Sequence, residues 1–382
     1  MKIYRSWRDV PAQLKGAVLA IGNFDGVHRG HQAVLSRAQA RAKSSGKRAG
    51  AVIFEPHPRA FFTPDRPFFT LTPLPLKLEL LAALGLDQTF VIPFNADLAS
   101  LSADAFAKDV VAGGLAASAV MVGYDFAYGK GRTGTPSTLE GEGAKLGFGV
   151  EIVAPVEEDG AAFASSDIRE HLRNGEAREA ADELGYWWRV KGTVAKGAGR
   201  GKGLGFPTIN LALDPGQDVG HGIYAMRVIH NGRCYRAAGY VGASPTFGGG
   251  PLALEAYLLD FEGDLYGKEV EIEFIAKLRD DRTFADGGSL AEAMRQDCDK
   301  ARAILKVIDA GDPMRRFPLG AALGPGACRP GPRSAGKGPA AGRSSPPRTA
   351  TARHRRLRGR RRHAIHAARP RPRRTHRRRR RR

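Results

Sequence analysis

The chain is poor in cysteine and in long apolar runs. Its 382 residues include three cysteines and no C-x-x-C pair, which excludes a disulfide framework and indicates a reducing compartment. The basic residues near the N-terminus come before any apolar run and are not followed by the h-region of a signal peptide, so a signal peptide is not expected. The longest mostly apolar run, residues 110–124, is rich in glycine and shorter than the roughly 20 residues that span a bilayer. These absences predict a cytoplasmic protein without membrane segments.

Acidic residues are absent from the end of the chain. From Arg315 onward there are 23 Arg and one Lys but no Asp or Glu, whereas residues 1–314 carry 36 basic and 39 acidic residues. The end of the chain also has few large apolar residues and cannot bury enough surface to fold, so we expect residues 317–382 to be a disordered tail. The net charge of +21 therefore describes the tail and not the body of the protein.

An arginine-rich tail binds polyanions non-specifically and in a salt-dependent way. The same residue types dominate when a GC-rich gene is read out of frame, and we interpret the tail as a frameshift or a misplaced end. An intact-mass measurement that finds the tail on the native protein would contradict this interpretation. We expect no specific nucleic-acid partner, no membrane partner, and at most weak self-association.

A glycine-rich segment with two histidines follows the first apolar run. Residues 17–21 predict a buried strand, residues 22–31 read GNFDGVHRGH, and residues 32–41 predict a helix. A strand-to-helix turn of an open α/β sheet lies where ligands bind, and the start of a helix suits an anion. His28 and His31, separated by the small Gly30, can both face a phosphate. Helix capping or core packing would explain an isolated histidine pair, but the surrounding residues favour an anion site.

The spacing of the remaining apolar runs divides the chain into two folds. Strands near residues 50–54, 89–93, 119–123 and 150–155 alternate with helices, which predicts a Rossmann-like parallel α/β domain over residues 1–184. From residue 187 to 310, five or six short strands separated by glycines predict a small antiparallel β-barrel, followed by a helix over residues 290–308.

The segment GNFDGVHRGHQ resembles the prokaryotic FAD synthetases, in which an FMN adenylyltransferase is fused to a riboflavin kinase. Two further segments of the first domain are similar to that family. Residues 122–129, VGYDFAYG, resemble a nucleotide-holding loop but have Ala127 in place of Arg and Tyr128 in place of Phe. Residues 165–169, SSDIR, resemble a motif that holds ATP phosphates. Capping of a helix by Ser165 and Ser166 stays an alternative explanation.

The resemblance implies which residues of the first domain act. His28 and His31 would supply a positive field together with Arg169, and Asn23 would orient the reacting groups. ATP and its phosphates would contact Gly22, Phe24, Asp25, Gly30, Asp125, Ser165, Ser166 and Arg169.

Residues 201–210, GKGLGFPTIN, resemble the riboflavin kinase motif GRxxGFPTxN, with Lys202 in place of Arg. A G-x-x-x-x-G-K-[ST] P-loop does not fit this segment. The resemblance implies phosphate contacts from Gly201, Lys202 and Gly205, and Mg²⁺ ligation by Thr208 and Asn210. Residues two apart on an extended segment point the same way, as shared coordination requires.

The resemblance alone implies roles for a second group of barrel residues. Glu255, in LEAYLLD, would act as the general base, and Arg279 and Phe284 would lie near the flavin. A lone Glu on a strand is otherwise usually solvated, so this role depends on the match. Tyr240 stands where the family usually has Asn, and we assign it no role.

The motifs together predict an enzyme that phosphorylates riboflavin to FMN in the barrel and adenylylates FMN to FAD in the first domain, with ATP and Mg²⁺. Two alternatives stay open. One of the two activities could be lost, given Ala127, Lys202 and Tyr240, or the tail could make the chain a nucleic-acid-binding protein. We expect truncation at Gly311 to keep the flavin chemistry and to abolish polyanion binding.

Overall fold

The first half of the chain forms a parallel sheet. The structure, a computed structural model, describes residues 1–158, 160–196, 205–243 and 252–325 and residue 328. The strands of this sheet are β1 (Lys2–Tyr4), β2 (Val18–Ile21), β3 (Ala49–Glu55), β4 (Gln88–Pro93), β5 (Ala119–Gly123) and β6 (Gly149–Val153). Their order is β1-β4-β3-β2-β5-β6, and every neighbouring pair is parallel. The chain moves outward from β2 in both directions, so the ligand crevice of such a sheet lies at the carboxyl ends of β2 and β5.

Helices cover this sheet and confirm the predicted α/β fold. They are α1 (Arg29–Ser44), α2 (Pro58–Phe62), α3 (Leu74–Ala83), α4 (Ala96–Ser100), α5 (Ala103–Ala105), which continues as a π-helix (Phe106–Gly114), α6 (Pro136–Leu146), α7 (Ser165–Asn174) and α8 (Ala177–Leu184). Single 3₁₀ turns lie at Ala12–Leu14, Lys130–Arg132 and Pro313–Arg316, and Glu157–Glu158 (β7) pairs with Ala161–Ala162 (β8).

The second half forms the predicted antiparallel barrel. Its strands are β9 (Arg189–Thr193), β10 (Thr208–Ala212), β11 (Gly222–His230), β12 (Arg233–Gly242), β13 (Ala253–Leu258) and β14 (Glu269–Arg279), in the order β10-β13-β12-β11-β14-β9. The Ala195 N–H donates to the Asn210 carbonyl over 2.8 Å, and this bridge connects the two ends of the sheet. The helix α9 (Gly287–Ala310) packs on β11, β12 and β14.

Two buried aromatic residues at the start of the barrel hold the first domain. The Tyr186 hydroxyl donates to the Gly26 carbonyl over 2.8 Å, and the Trp188 indole N–H donates to the Leu71 carbonyl over 2.9 Å. Both side chains belong to one hydrophobic cluster that contains residues of both sheets. The predicted domain boundary between residues 184 and 187 therefore falls within a core that both sheets share.

The ordered chain extends past the predicted start of the tail. Residues Pro318–Leu323 form a helix, α10, in which Leu319 and Gly320 are buried. Just before it, the Asp312 carboxylate pairs with Arg227 over 2.7 Å and accepts the Trp187 indole N–H over 3.0 Å. A few apolar residues suffice here because they pack on a core that already exists, so the expectation of disorder from residue 317 is wrong for this helix.

Cys234 of β12 and Cys328 form a disulfide, with their Cα atoms 4.5 Å apart, whereas Cys298 is a buried free thiol. The expectation from the cysteine count, that the chain has no disulfide framework, did not anticipate this single bond. The two residues are 94 positions apart in sequence, and no spacing motif identifies such a pair.

Candidate active sites

The glycine-rich turn of the first domain, residues 22–31, packs against the segment that contains Leu71 and Thr72. Gly26 has a φ of +83°, and a Cβ there would lie 2.9 Å from the Leu71 side chain, so only glycine fits. The Gly26 N–H donates to the Thr72 hydroxyl over 2.9 Å. Phe24, predicted to contact ATP, is buried, and its ring lies edge-on to His31 with centroids 5.3 Å apart. Its structural contribution is to support the histidine.

The two histidines lie together at the start of α1, as predicted. Their rings stack with centroids 3.6 Å apart, and His28 Nδ1 accepts the His31 backbone N–H over 3.4 Å. Because Nδ1 of His28 accepts, its proton belongs on Nε2. A Cβ on Gly30 would lie 3.1 Å from the His28 ring, which explains the small residue between them.

Buried polar atoms without partners mark this turn as a site. His31 Nδ1 and Asn23 Oδ1 are both buried, and neither has a hydrogen-bond partner in the described part of the chain. Buried polar groups are normally paired, and orphaned ones need an explanation. A ligand that supplies the missing donor and acceptor is the explanation that we favour.

The histidines are neutral in the free protein near pH 7. Burial lowers the pKa of His28 to about 4, and burial together with the His28 charge lowers the pKa of His31 well below its usual value. In the unliganded protein the imidazoles therefore carry no positive charge, and their predicted contribution to a positive field around bound phosphates stays a prediction. Neutral imidazoles can still donate and accept hydrogen bonds.

Asp25 and Arg169, both predicted to contact ATP, form a buried ion pair with each other. Two other Arg169 donors also have acceptors, because Nε donates to the Phe69 carbonyl over 2.6 Å and Nη1 to the Ser165 carbonyl over 3.0 Å. The Ser165 hydroxyl donates to the Asp25 carbonyl over 2.9 Å. In this structure these residues fix the turn against α7.

The remaining predicted residues of this domain lie near the same crevice. Asp125 is exposed just after β5, and Ser166 lies in the first turn of α7, where its hydroxyl donates to Asp167 over 3.0 Å. A Cβ on Gly22 would lie 3.0 Å from the Phe24 ring. These placements are consistent with a nucleotide site, and the contacts with ATP stay predictions.

Two basic residues beside the turn have no role predicted from the sequence. His57 caps α2 and stacks on Phe68 with ring centroids 4.6 Å apart, and burial lowers its pKa to about 4. Lys77 of α3 is buried. A lysine within a helix gives no sequence signal for burial, since such a residue normally faces solvent.

The pH dependence of stability tests the buried histidines. An unfolded histidine binds its proton near pH 6.5, whereas His28 binds one only near pH 4. Between pH 6.5 and pH 4 the unfolded state therefore binds more protons than the folded state. The contribution of the neutral His28 to the free energy of unfolding is fully present above pH 6.5 and declines toward pH 4. We expect His28 alone to cost about 2 kcal/mol of unfolding free energy at pH 5 relative to pH 7.5.

Denaturant unfolding at the two pH values measures this loss. The His28→Gln variant should lose less stability on acidification than the wild type by about that amount. An unchanged pH dependence in the variant would contradict the assignment of a buried neutral His28.

In the barrel, strand register brings the predicted kinase residues together. Glu255 of β13 is paired with Asn210 of β10 on one side and with Tyr240 of β12 on the other. Directly opposed residues share a face of the sheet, and Thr208 shares it because it lies two positions from Asn210. Asn210 Oδ1 is buried without a hydrogen-bond partner among the described residues. The cluster therefore presents hydroxyl, amide and carboxylate oxygens on one face.

The motif that precedes β10 is described in part. Gly205 has a φ of +89°, which favours glycine. Gly201 and Lys202, predicted to contact phosphates, lie outside the described residues.

Tyr240, which has no predicted role, is a neighbour of the predicted base. Its hydroxyl donates to Asp281 Oδ2 over 2.9 Å. Burial, this hydrogen bond and the charges of Asp281 and Glu255 raise the pKa of Tyr240 to about 12, so the hydroxyl keeps its proton. Only the strand register reveals that it lies beside Glu255.

Arg279 and Phe284 lie near each other, with the guanidinium carbon 5.7 Å from the centre of the Phe284 ring. Arg279 Nη2 also pairs with Asp297 of α9 over 2.7 Å, and Nε donates to the same carboxylate over 3.1 Å. This ion pair ties the end of β14 to α9. The contact of Arg279 and Phe284 with a flavin stays a prediction.

Comparisons with known proteins agree with both halves of this description. A family model described as FAD synthetase matches residues 10–167, and one described as riboflavin kinase matches residues 184–305. A Pseudomonas fluorescens protein named bifunctional riboflavin kinase/FMN adenylyltransferase is 37% identical over 80% of this chain and 98% of its own length. The protein of that name from Escherichia coli K12 is 32% identical over 78% of this chain and 96% of its own length.

A solved structure shares the whole two-part architecture. It is described as a macrolide-efflux protein from Streptococcus pneumoniae, with a TM-score of 0.71 and 26% identity over 78% of this chain and 98% of that one. In the described residues of the present chain, no helix is long and apolar enough to cross a membrane. With both family models matched in order, and with relatives aligned over nearly their full length, the chain belongs to the family of bifunctional riboflavin kinase/FMN adenylyltransferases.

Proposed function

We propose that this chain phosphorylates riboflavin to FMN in the barrel and adenylylates FMN to FAD in the first domain, with ATP as the donor in both reactions. The observation that carries the proposal is the position of the unpartnered buried atoms. Three of the eight such atoms in the described residues belong to residues implied by the family resemblance: Asn23 Oδ1 and His31 Nδ1 in the first domain and Asn210 Oδ1 in the barrel.

Adenylyl transfer requires alignment rather than a covalent nucleophile. An FMN phosphate oxygen attacks the α-phosphorus of ATP, the bond to the bridging oxygen breaks, and pyrophosphate leaves. The proton on His28 Nε2 and the free nitrogen of His31 allow hydrogen bonds to the reacting phosphates, and Asn23 orients them. Such preorganised donors act most strongly in a site that excludes water.

Phosphorylation of riboflavin uses the polar face of β10 and β13. Glu255 accepts the proton of the riboflavin 5′-hydroxyl as that oxygen attacks the γ-phosphorus of ATP and ADP leaves. Tyr240 stands beside Glu255 as a neutral donor. Arg279 and Phe284 place the flavin at the end of β14.

The oxygen donors at Thr208 and Asn210 fit a Mg²⁺ ion. The unpartnered Asn210 Oδ1 is the observation that supports the fit, and hard oxygen ligands are those that Mg²⁺ prefers. When bound with ATP, the ion neutralises phosphate charge. No cluster of three or more His, Cys, Asp or Glu that could hold a metal occurs in the part of the chain that the structure describes. Ligation would therefore depend on Thr208, Asn210 and the substrate phosphates.

A chromatographic assay tests both reactions in one sample. The purified protein is incubated with riboflavin, ATP and Mg²⁺, and riboflavin, FMN and FAD are followed over time. We expect FMN to appear first and FAD to follow. Accumulation of FMN without FAD would limit the function to the kinase, and failure to form either product would contradict the proposal. A cytoplasmic location, weak self-association and the absence of a specific nucleic-acid partner stay predictions.

A further inference from the structure

A buried lysine lies beside the adenylyl-transfer turn without a partner. The Lys77 side chain is 1% exposed, although it carries an ammonium group. Across the described ranges, no hydrogen bond or salt bridge engages that group. Its helix, α3, buries Leu76, Leu80 and Leu81 in the shared core, so the lysine cannot turn to solvent without disturbing the packing.

Holding this lysine inside the protein costs stability. A buried charge loses several kcal/mol of hydration that a close ion pair repays only in part. Asp25 and Glu55 attract Lys77, but neither forms a salt bridge with it in the described structure. Asp25 is already engaged by Arg169 and by the backbone N–H groups of Leu71 and Thr72, each over 3.1 Å. The folded protein thus keeps a cation for which it provides no close partner.

The position of Lys77 connects it to the proposed reaction site. Burial lowers the pKa of both His31 and His57, and the charge of Lys77 lowers them further. Geometry places α3 at the same edge, because the segment that leads into it contains Thr72, whose N–H donates to Asp25 of the turn over 3.1 Å. The histidines at this edge are neutral, and three donors of Arg169 are used within the protein. A polyphosphate at this edge requires positive charge that these residues do not supply freely.

We propose that Lys77 is a phosphate-binding residue of the adenylyl-transfer site and donates hydrogen bonds to the phosphate oxygens of ATP that depart as pyrophosphate. This inference rests on the proposed FMN adenylyltransferase activity and adds a residue that no motif identified. A lysine presents three donors as a compact charge, which suits oxygens whose positions shift as the bond breaks. The missing partner of Lys77 is then the substrate.

Two substitutions of Lys77 and one control test the proposal. Lys77→Met keeps the length and the apolar stem but removes the charge, and Lys77→Arg keeps a charge. Lys43→Met removes an exposed lysine from α1 of the same domain. For each protein we would measure the melting temperature, riboflavin kinase activity, kcat and KM for FMN adenylylation, and product inhibition of adenylylation by inorganic pyrophosphate.

The expected result separates function from stability. Lys77→Met should melt at or above the wild-type temperature, because a buried unpaired charge is gone, and its kinase activity should be unchanged. Its kcat/KM for adenylylation should fall by about 10²-fold, as for the loss of one preorganised donor. Inhibition by pyrophosphate should weaken at least about tenfold, because one charge-assisted contact is lost. Lys77→Arg should keep part of the wild-type kcat/KM and part of the pyrophosphate inhibition. Lys43→Met should match the wild type in every measurement.

Other outcomes overturn the inference. Wild-type adenylylation and wild-type pyrophosphate inhibition in Lys77→Met would assign Lys77 no contact with substrate. A lower melting temperature with an equal loss of both activities would assign it a structural role. If the wild-type protein itself forms FMN but no FAD, the proposed adenylyltransferase function fails first, which distinguishes that failure from a failure of the Lys77 assignment.

Discussion

The His31→Ala variant is expected to convert riboflavin to FMN at the wild-type rate and to stop there. The substitution removes a ring that stacks on His28 and carries an unpartnered buried nitrogen. A positioned group of this kind contributes about 10²–10⁴-fold to rate. Chromatography of the reaction mixture should therefore show FMN accumulating while the rate of FAD formation falls by about that factor.

Glu255→Gln supplies the matched control in the other domain. It should leave riboflavin largely unreacted, while FMN added from outside is still converted to FAD. Reciprocal losses of this kind would assign one reaction to each domain. Equal loss of both activities in the His31→Ala variant would instead indicate a general defect in folding, whereas FAD formation at the wild-type rate would contradict the assignment of His31 to adenylyl transfer.

A chain ending at Gly311 is expected to be much less stable than one ending at residue 328. The shorter chain lacks Asp312, and Arg227 then keeps its buried position without that carboxylate. It also lacks Leu319, which lies in the shared core. Removing the sole partner of a buried charge typically costs about 3–5 kcal/mol, and the ion-pair loss here is smaller because Glu273 and Asp309 still contact Arg227. Removal of the buried Leu319 adds about 2–5 kcal/mol. The sequence-based prediction that a chain ending at Gly311 keeps its flavin chemistry would then hold only below its lower melting temperature.

Thermal unfolding of both truncated chains and of the full-length protein measures the effect. At about 2–4 °C per kcal/mol for a chain of this size, the shorter chain should melt roughly 10 °C lower. Asp312→Asn in the full-length chain separates the ion pair from the loss of α10 and should give part of this decrease. Equal melting temperatures for the two truncated chains would show that the segment after Gly311 does not stabilise the core.

The sequence predicted most of the fold because its patterns are local. Strand β5 has the predicted bounds, and α1 and β3 differ from their predictions by a few residues at the ends. The histidine turn was found because all its residues are consecutive. The short α10 was missed because its burial depends on a surface made by other segments.

The partners of the site residues could not be predicted in the same way. Asp25 and Arg169 are 144 positions apart, and nothing in either motif indicates that each satisfies the other. Tyr240 meets Glu255 only because β12 and β13 pair in one register. The neutrality of His28 and the isolation of Lys77 follow from burial, which is a property of the packed structure. A motif identifies which residues matter, whereas packing decides which charges and hydrogen bonds they have left for a ligand.

The hydrogen bonds from Tyr186 to Gly26 and from Trp188 to Leu71 couple the stability of the two catalytic domains. Opening the adenylylation turn means breaking contacts with the first residues of the barrel. Any ligand that stabilises the folded barrel lowers the population of open states, by an amount set by its concentration relative to its Kd. Riboflavin that occupies the kinase half should thus protect the other half from proteases, so that a shortage of the vitamin would shorten the lifetime of the whole enzyme.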